Sequence, residues 1–120
     1  MKNQKAFRNT TGEVKPTRHF SKRQEDAVAK SLGGHRQSNS GATPFAKGDV
    51  ALENFLLECK TKTKPSSVFS IKKEWLEKTE KEALFMGKPH TALVFNFGPE
   101  ERNFYVLSEE TFKALLGGIK

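Results

Sequence analysis

One cysteine, Cys59, stands in 120 residues, so no disulfide can close within the chain and no zinc site can be built from its thiolates. The three histidines, His19, His35 and His90, lack the spacing of paired metal ligands. No stretch approaches the roughly 20 consecutive apolar residues that span a bilayer. Residues 1–20 contain no continuous apolar segment of the kind that drives secretion. No internal repeat is visible. These absences lead to the expectation of a soluble, intracellular, cytoplasmic protein with no membrane partner.

The chain has an excess of positive charge, +7 with a pI near 9.6. Most of it sits at one end. From Met1 to Gln24 there are seven lysines or arginines against the single Glu13, a net +6, which leaves +1 for the other residues. Residues 1–19 are expected to form a basic, flexible arm and residues 20–120 a single domain. Arg18, Lys22 and Arg23 then suit contact with a phosphate backbone. A solvated tail that aids solubility explains the same charge.

Ser21-Lys-Arg-Gln24 has the form of a capping box, and Ala27, Val28 and Leu32 follow at helical spacing up to Gly33-Gly34. This predicts a helix from about Lys22 to Leu32 with Glu25 and Asp26 in its first turn. A short strand from His35 to Ser38 precedes a loop. Two strands, Val50–Leu52 and Phe55–Lys60, flank Glu53-Asn54. Ile71, Trp75, Thr79, Ala83 and Met86 share one face of a predicted helix from Ser70 to Met86, with Glu74/Lys78 and Glu77/Lys81 as i,i+4 pairs outside. Strands at Thr91–Phe97 and Phe104–Leu107 and a last helix to Leu116 complete an α/β domain with a mixed central β-sheet flanked by helices. Trp75 reads as core or interface and Cys59 as buried and inert. Asn96 suits either a buried polar position or a sheet edge.

The chemistry concentrates in Gly48–Lys60. With Glu53-Asn54 as a two-residue turn, Leu52 pairs with Phe55, Val50 with Leu57 and Asp49 with Glu58. Strand side chains alternate, so Asp49, Glu58 and Lys60 share one face while Val50, Leu52, Phe55 and Leu57 cover the other. Carboxylates placed opposite each other repel. A divalent cation removes the conflict, and Mg²⁺ takes one or two carboxylates and completes its shell with water and phosphate. Lys60 adds a fixed positive charge where negative charge develops in phosphodiester hydrolysis. Lys62 and Lys64 follow among serines and threonines, a composition that suits contact with DNA phosphate. A polar strand face paired with surface lysines is the plainer account of the same spacing.

Asp49 followed by Glu58-Cys-Lys60 resembles the PD-(D/E)xK motif of restriction-endonuclease-like nucleases, with Gly48 in place of the motif proline. Within that group the chain is similar, over about Ser21 to Phe97, to the small Holliday-junction resolvases of the archaeal Hjc type and their bacteriophage relatives. Gln24-Glu25-Asp26, His35-Arg-Gln-Ser-Asn-Ser40 and the strand that continues into Thr61 carry the likeness. The resemblance implies a restriction-endonuclease-like core. It implies metal ligation by Asp49, Glu58 and the Cys59 backbone carbonyl, with Mg²⁺ or Mn²⁺ as the ion. It implies catalytic roles for Lys60 and for Glu25, which approaches from the first helix. Arg36, Ser38 and Ser40 would contact DNA from a loop. The enzyme implied is a homodimer that cuts four-way DNA junctions, in the host cytoplasm if phage-encoded. Two other readings stand beside it: a related nuclease acting on nicks, flaps or duplex DNA, and a basic nucleic-acid-binding protein without catalysis.

Overall fold

The computed structural model describes residues 7–8, 14–15, 17–37 and 49–118. They form a small α/β fold with a five-stranded mixed sheet and three helices. Among the described residues, strands β1 (Phe7–Arg8) and β2 (Val14–Lys15), which lie within the expected arm, pair with each other, antiparallel, as a separate two-stranded sheet. Helix α1 (Thr17–Leu32) follows, then β3 (His35–Arg36), β4 (Val50–Ala51) and β5 (Phe55–Lys60). Helix α2 (Lys73–Met86), β6 (His90–Phe95), β7 (Phe104–Val106) and α3 (Glu109–Gly117) complete the order.

The sheet runs β3-β4-β5-β6-β7. The β4–β5 hairpin has the register expected from its turn, Val50 opposite Leu57 and Ala51 opposite Leu56. Strands β5 and β6 are parallel, and α2 makes the crossover that a parallel pair requires. The other neighbouring strands are antiparallel.

Strand alternation divides the core into two halves. On one face, Val28 and Ala29 of α1 pack on Val50, Leu57, Cys59, Ala92 and Val94 of the sheet. On the other, Ala83 and Met86 of α2 pack on Ala51 and Leu56. Each half removes aliphatic surface from water at roughly 25 cal/mol per Å². Because helices cover both faces, the polar side chains of β5 that point towards α2 are held inside the fold.

Several boundaries differ from the sequence reading. Helix α1 begins at Thr17, so residues 17–19 of the expected arm are helical and the expected domain boundary falls inside the helix. Ser21 is therefore no cap. Glu25 and Asp26 lie in the helix interior, and the helix dipole at an N-terminus does not account for them. Helix α2 begins at Lys73, and its N-cap, Lys72, makes no side-chain cap bond. Ile71 precedes it and is exposed. The i,i+4 ion pairs on α2 are Lys73–Glu77, which is exposed, and Lys78–Glu82, in which Glu82 is largely buried, rather than Glu74/Lys78 and Glu77/Lys81. Strand β6 ends at Phe95, and Asn96 just beyond it is a buried polar residue, 3% exposed.

Candidate active site

Asp49 enters β4 with its N–H donating to the Leu57 carbonyl at 2.9 Å. Its carboxylate Oδ2 accepts the Cys59 N–H at 2.8 Å. Two bonds thus strap Asp49 to β5 and hold it beside Glu58, where the hairpin register puts it. Glu58 is 9% exposed. Burial raises the affinity of both carboxyls for protons. For Glu58 the nearby Asp49 charge raises it further, with Lys78 and Lys60 opposing. For Asp49 the Cys59 N–H, Lys60 and Lys78 oppose the burial.

Lys60 is held from two sides. Its Nζ lies 3.4 Å from Glu58 Oε2 and 4.4 Å from the centroid of the Trp75 ring on α2. The ammonium over the ring face is a cation–π contact, so Trp75 does more than fill core volume. Phe69 packs between Trp75 and Phe95 and backs this wall. Cys59, on the opposite face of β5, is buried, and that burial pushes its thiol up far enough to keep it protonated and inert.

Glu25 reaches the site from α1. Burial raises its pKa first and the Asp49 charge second, while the Arg36 hydrogen bond lowers it. Arg36 Nε donates to Glu25 Oε1 at 3.2 Å, and Arg36 Nη1 lies 3.4 Å from Asp26 Oδ1. Arg36 is thus tied to the site through Glu25. The other basic candidates lie further out. Arg18 is exposed near the start of α1, Lys22 pairs with Asp26 at 3.6 Å, and Arg23 pairs with Glu100. Lys62 Nζ donates to Ser66 Oγ at 3.2 Å beside the Phe69 ring, and Lys64 is exposed in the same loop. Ser38 and Ser40 lie outside the described residues.

Two residues of α2 that the sequence reading did not place at the site join it: Lys78, read there as an outer partner of Glu74, and Glu82. Lys78 Nζ lies 3.1 Å from Glu82 Oε2. Burial disfavours the Lys78 ammonium, but the Glu82 hydrogen bond and the Glu58 and Asp49 charges outweigh it and hold the proton more tightly. Glu82 Oε1 is buried without a hydrogen-bond partner among the described residues. The signal was available: Lys78 and Glu82 each stand one position before a member of the Trp75–Thr79–Ala83–Met86 stripe, so they border the face that α2 turns inward.

The donor set suits a hard divalent cation. Asp49 and Glu58 supply oxygen ligands, and no hydrogen bond to Asp49 Oδ1 or Glu58 Oε1 occurs among the described residues. Among those residues no group of three or more His, Cys, Asp or Glu side chains is placed to hold a metal. Two carboxylates are nevertheless what Mg²⁺ commonly takes from a protein, the rest being water and phosphate. No helix among the described residues is long and apolar enough to cross a membrane. Comparison of the chain with protein-family models, curated proteins and solved structures finds no match.

Proposed function

We propose that the chain is a divalent-metal-dependent endonuclease of restriction-endonuclease-like architecture that hydrolyses phosphodiesters in branched DNA, four-way junctions above all. The observation that carries this reading is the burial of Asp49 and Glu58 side by side, with the fixed ammonium of Lys60 next to them. A purely structural fold has little use for two like charges whose burial and mutual repulsion both oppose ionisation.

In this reading Asp49, Glu58 and the Cys59 carbonyl hold Mg²⁺ or Mn²⁺. The ion, when bound, lowers the pKa of a coordinated water and neutralises charge on the phosphate. Lys60, kept in place by Glu58 and Trp75, stabilises the negative charge that develops on the phosphate oxygens. Glu25 would approach the metal site from the α1 side, where its charge is coupled to that of Asp49. Lys62, Lys64 and the basic N-terminal residues contact flanking phosphates and give affinity without reading sequence. The enzyme works inside the cell as a homodimer, so that two such sites cut two strands of one junction.

Cleavage of a labelled synthetic four-way junction, compared with linear duplex of the same sequence in Mg²⁺ and in EDTA, tests this. Paired cuts in the junction that require the metal are expected. Asp49→Asn and Glu58→Gln are expected to lower the rate at least 100-fold while the variants remain folded. Cutting of both substrates would retire the junction preference. Salt-sensitive binding with no cutting in Mg²⁺ or Mn²⁺ would retire the nuclease in favour of a binding protein.

A further inference from the structure

Behind Lys60, on the α1 side of the sheet, lies a pocket of about 320 Å³ that the catalytic assignment does not use. Phe20, Gln24, Thr61, Asn96, Pro99 and Asn103 line it, and Arg23 and Glu100 pair at its margin. It lies just past the carboxyl ends of the parallel strands β5 and β6, where open α/β sheets commonly bind ligands.

Its polar groups form one chain of hydrogen bonds. Gln24 Nε2 donates to the Lys60 carbonyl at 2.8 Å and to Asn103 Oδ1 at 3.2 Å. Asn96 Nδ2 donates to the same Asn103 oxygen at 3.1 Å, and Thr61 Oγ1 donates to Asn96 Oδ1 at 2.6 Å. These bonds fix the amide orientations, because a reversed Gln24 would face its oxygen to the Lys60 carbonyl and to Asn103 Oδ1. Two hydrogen-bonding atoms are left over. Gln24 Oε1 is buried without a donor among the described residues. Asn103 Nδ2 makes no hydrogen bond among the described residues. An acceptor and a donor on adjacent, mutually bonded amides match the edge of a nucleobase, where an N–H lies next to a carbonyl oxygen or ring nitrogen.

Size and charge narrow the choice. About 320 Å³ is at the small end for ligand pockets and suits one planar ring system rather than a chain of nucleotides. Glu100 and Glu101 on the lining disfavour a phosphate inside. Glu100, in the turn between β6 and β7, holds a left-handed backbone conformation, φ 64°, which is uncommon for a non-glycine residue. It presents its carboxylate to Arg23 across the margin. We infer that this pocket takes a single unpaired nucleobase of the DNA, its edge on Gln24 and Asn103, while the attached backbone lies along Lys60. The inference rests on the nuclease reading for the identity of its polymer. All four bases offer a donor beside an acceptor, so the pocket selects unpaired bases over stacked ones and structure over sequence.

The test uses the full chain without metal. Thymidine has a single N–H on its base, and N3-methylthymidine removes it. Both nucleosides and 2′-deoxyribose are titrated against protein with ¹⁵N-labelled side-chain amides. Expected are saturable shifts of the Gln24 and Asn103 amides with thymidine, at least tenfold weaker binding of N3-methylthymidine, and no shift with deoxyribose. Asn103→Asp, which keeps the accepting Oδ1 and removes the donor, should weaken thymidine binding at least tenfold. Ala27→Leu, which fills the pocket from the exposed side of α1, should do the same without touching the network. Unmoved amides in folded protein at millimolar thymidine, or equal binding of the methylated nucleoside, would overturn the inference. Junction cleavage in a protein that ignores thymidine would remove the pocket and keep the nuclease. Thymidine binding in a protein that never cuts DNA would leave a base pocket and remove the nuclease.

Discussion

At Glu58 the proposed function is set against stability. Its side chain is 11% exposed, bonded to Lys60 on one oxygen, and burdened by burial and by Asp49. Because its folded-state pKa is raised above the ordinary 4.5, the folded protein binds this proton more tightly than the unfolded chain does. The sign of the linkage follows. The stability contribution is greatest below the unfolded value, falls as pH rises from there through the raised folded value, and levels off above it. Glu58→Gln removes the titration and the repulsion. It is expected to raise stability at pH 7 by about 1 kcal/mol, a few degrees in Tm. The gap over the parent should close towards pH 4. Thermal unfolding of both proteins across that range checks this, and a variant less stable than the parent at pH 7 would show that the charge is not in conflict. Mg²⁺ should stabilise the parent, by about 2.7 kcal/mol at 100 times its Kd, and leave Glu58→Gln nearly unmoved.

At the scale of elements, the turn from α1 into β3 is closely packed on β4. Gly34 donates its N–H to the Ala29 carbonyl at 2.9 Å, and a Cβ on it would lie 2.7 Å from the Ala51 carbonyl oxygen and collide with the Leu52 side chain. Backbone cannot swing aside as a long side chain can, so β3 and β4 would have to separate. Gly34→Ala is expected to destabilise by about 1–3 kcal/mol through overpacking. Gly33, with φ +74° and open space around its Cβ position, should cost only about 1–2 kcal/mol on the same change, through backbone strain. Urea unfolding of the two variants separates the causes, and equal costs would show that steric contact with β4 does not matter. Since β3 carries Arg36, which holds Glu25, Gly34→Ala should also disturb the α1 side of the site.

The elements were legible to different degrees. The β4–β5 hairpin could be read because a two-residue turn and strict alternation are local rules, and they determined the register and the common face of Asp49, Glu58 and Lys60. The start of α1 was misread because Ser21 and Gln24 mimic a cap. Gln24 is instead taken by the Lys60 carbonyl and Asn103, partners 36 and 79 positions away, which no local pattern reports. Lys78 was placed outside α2 on i,i+4 spacing to Glu74, whereas its partner is Glu82 and its charge is directed at the carboxylates.

For the whole molecule, charge is the property that matters. Lys2, Lys5, Arg8 and Lys15 carry a large share of the +7, and sequence alone makes them candidates for phosphate contact. Each phosphate neutralised contributes about −0.9 to the slope of log K against log salt. Replacing all four with alanine is expected to lower the magnitude of that slope by about 3–4 for junction binding in EDTA. An unchanged slope would return them to the role of a solvated tail. Many of the other basic residues are engaged: Arg36, Lys22, Arg23, Lys60 and Lys78 all pair with acids. Net charge therefore overstates what the folded part offers to DNA.

The amino-acid sequence by itself determined the hairpin, the shared face of two carboxylates and a lysine, the order of strands and helices from α1 onwards but not the β1–β2 pair before it, and the basic end of the chain. Each of these depends on neighbours within a few residues, where periodicity and turn chemistry act. Tertiary structure alone decided that α2 lies over that face and buries it, which turns two polar side chains into a strained pair of charges. It also decided that Gln24 of α1 closes on Asn96 and Asn103, which flank the turn between β6 and β7, beside Lys60. Burial and electrostatic coupling depend on distance in space, and that distance is set by how helices pack on the sheet.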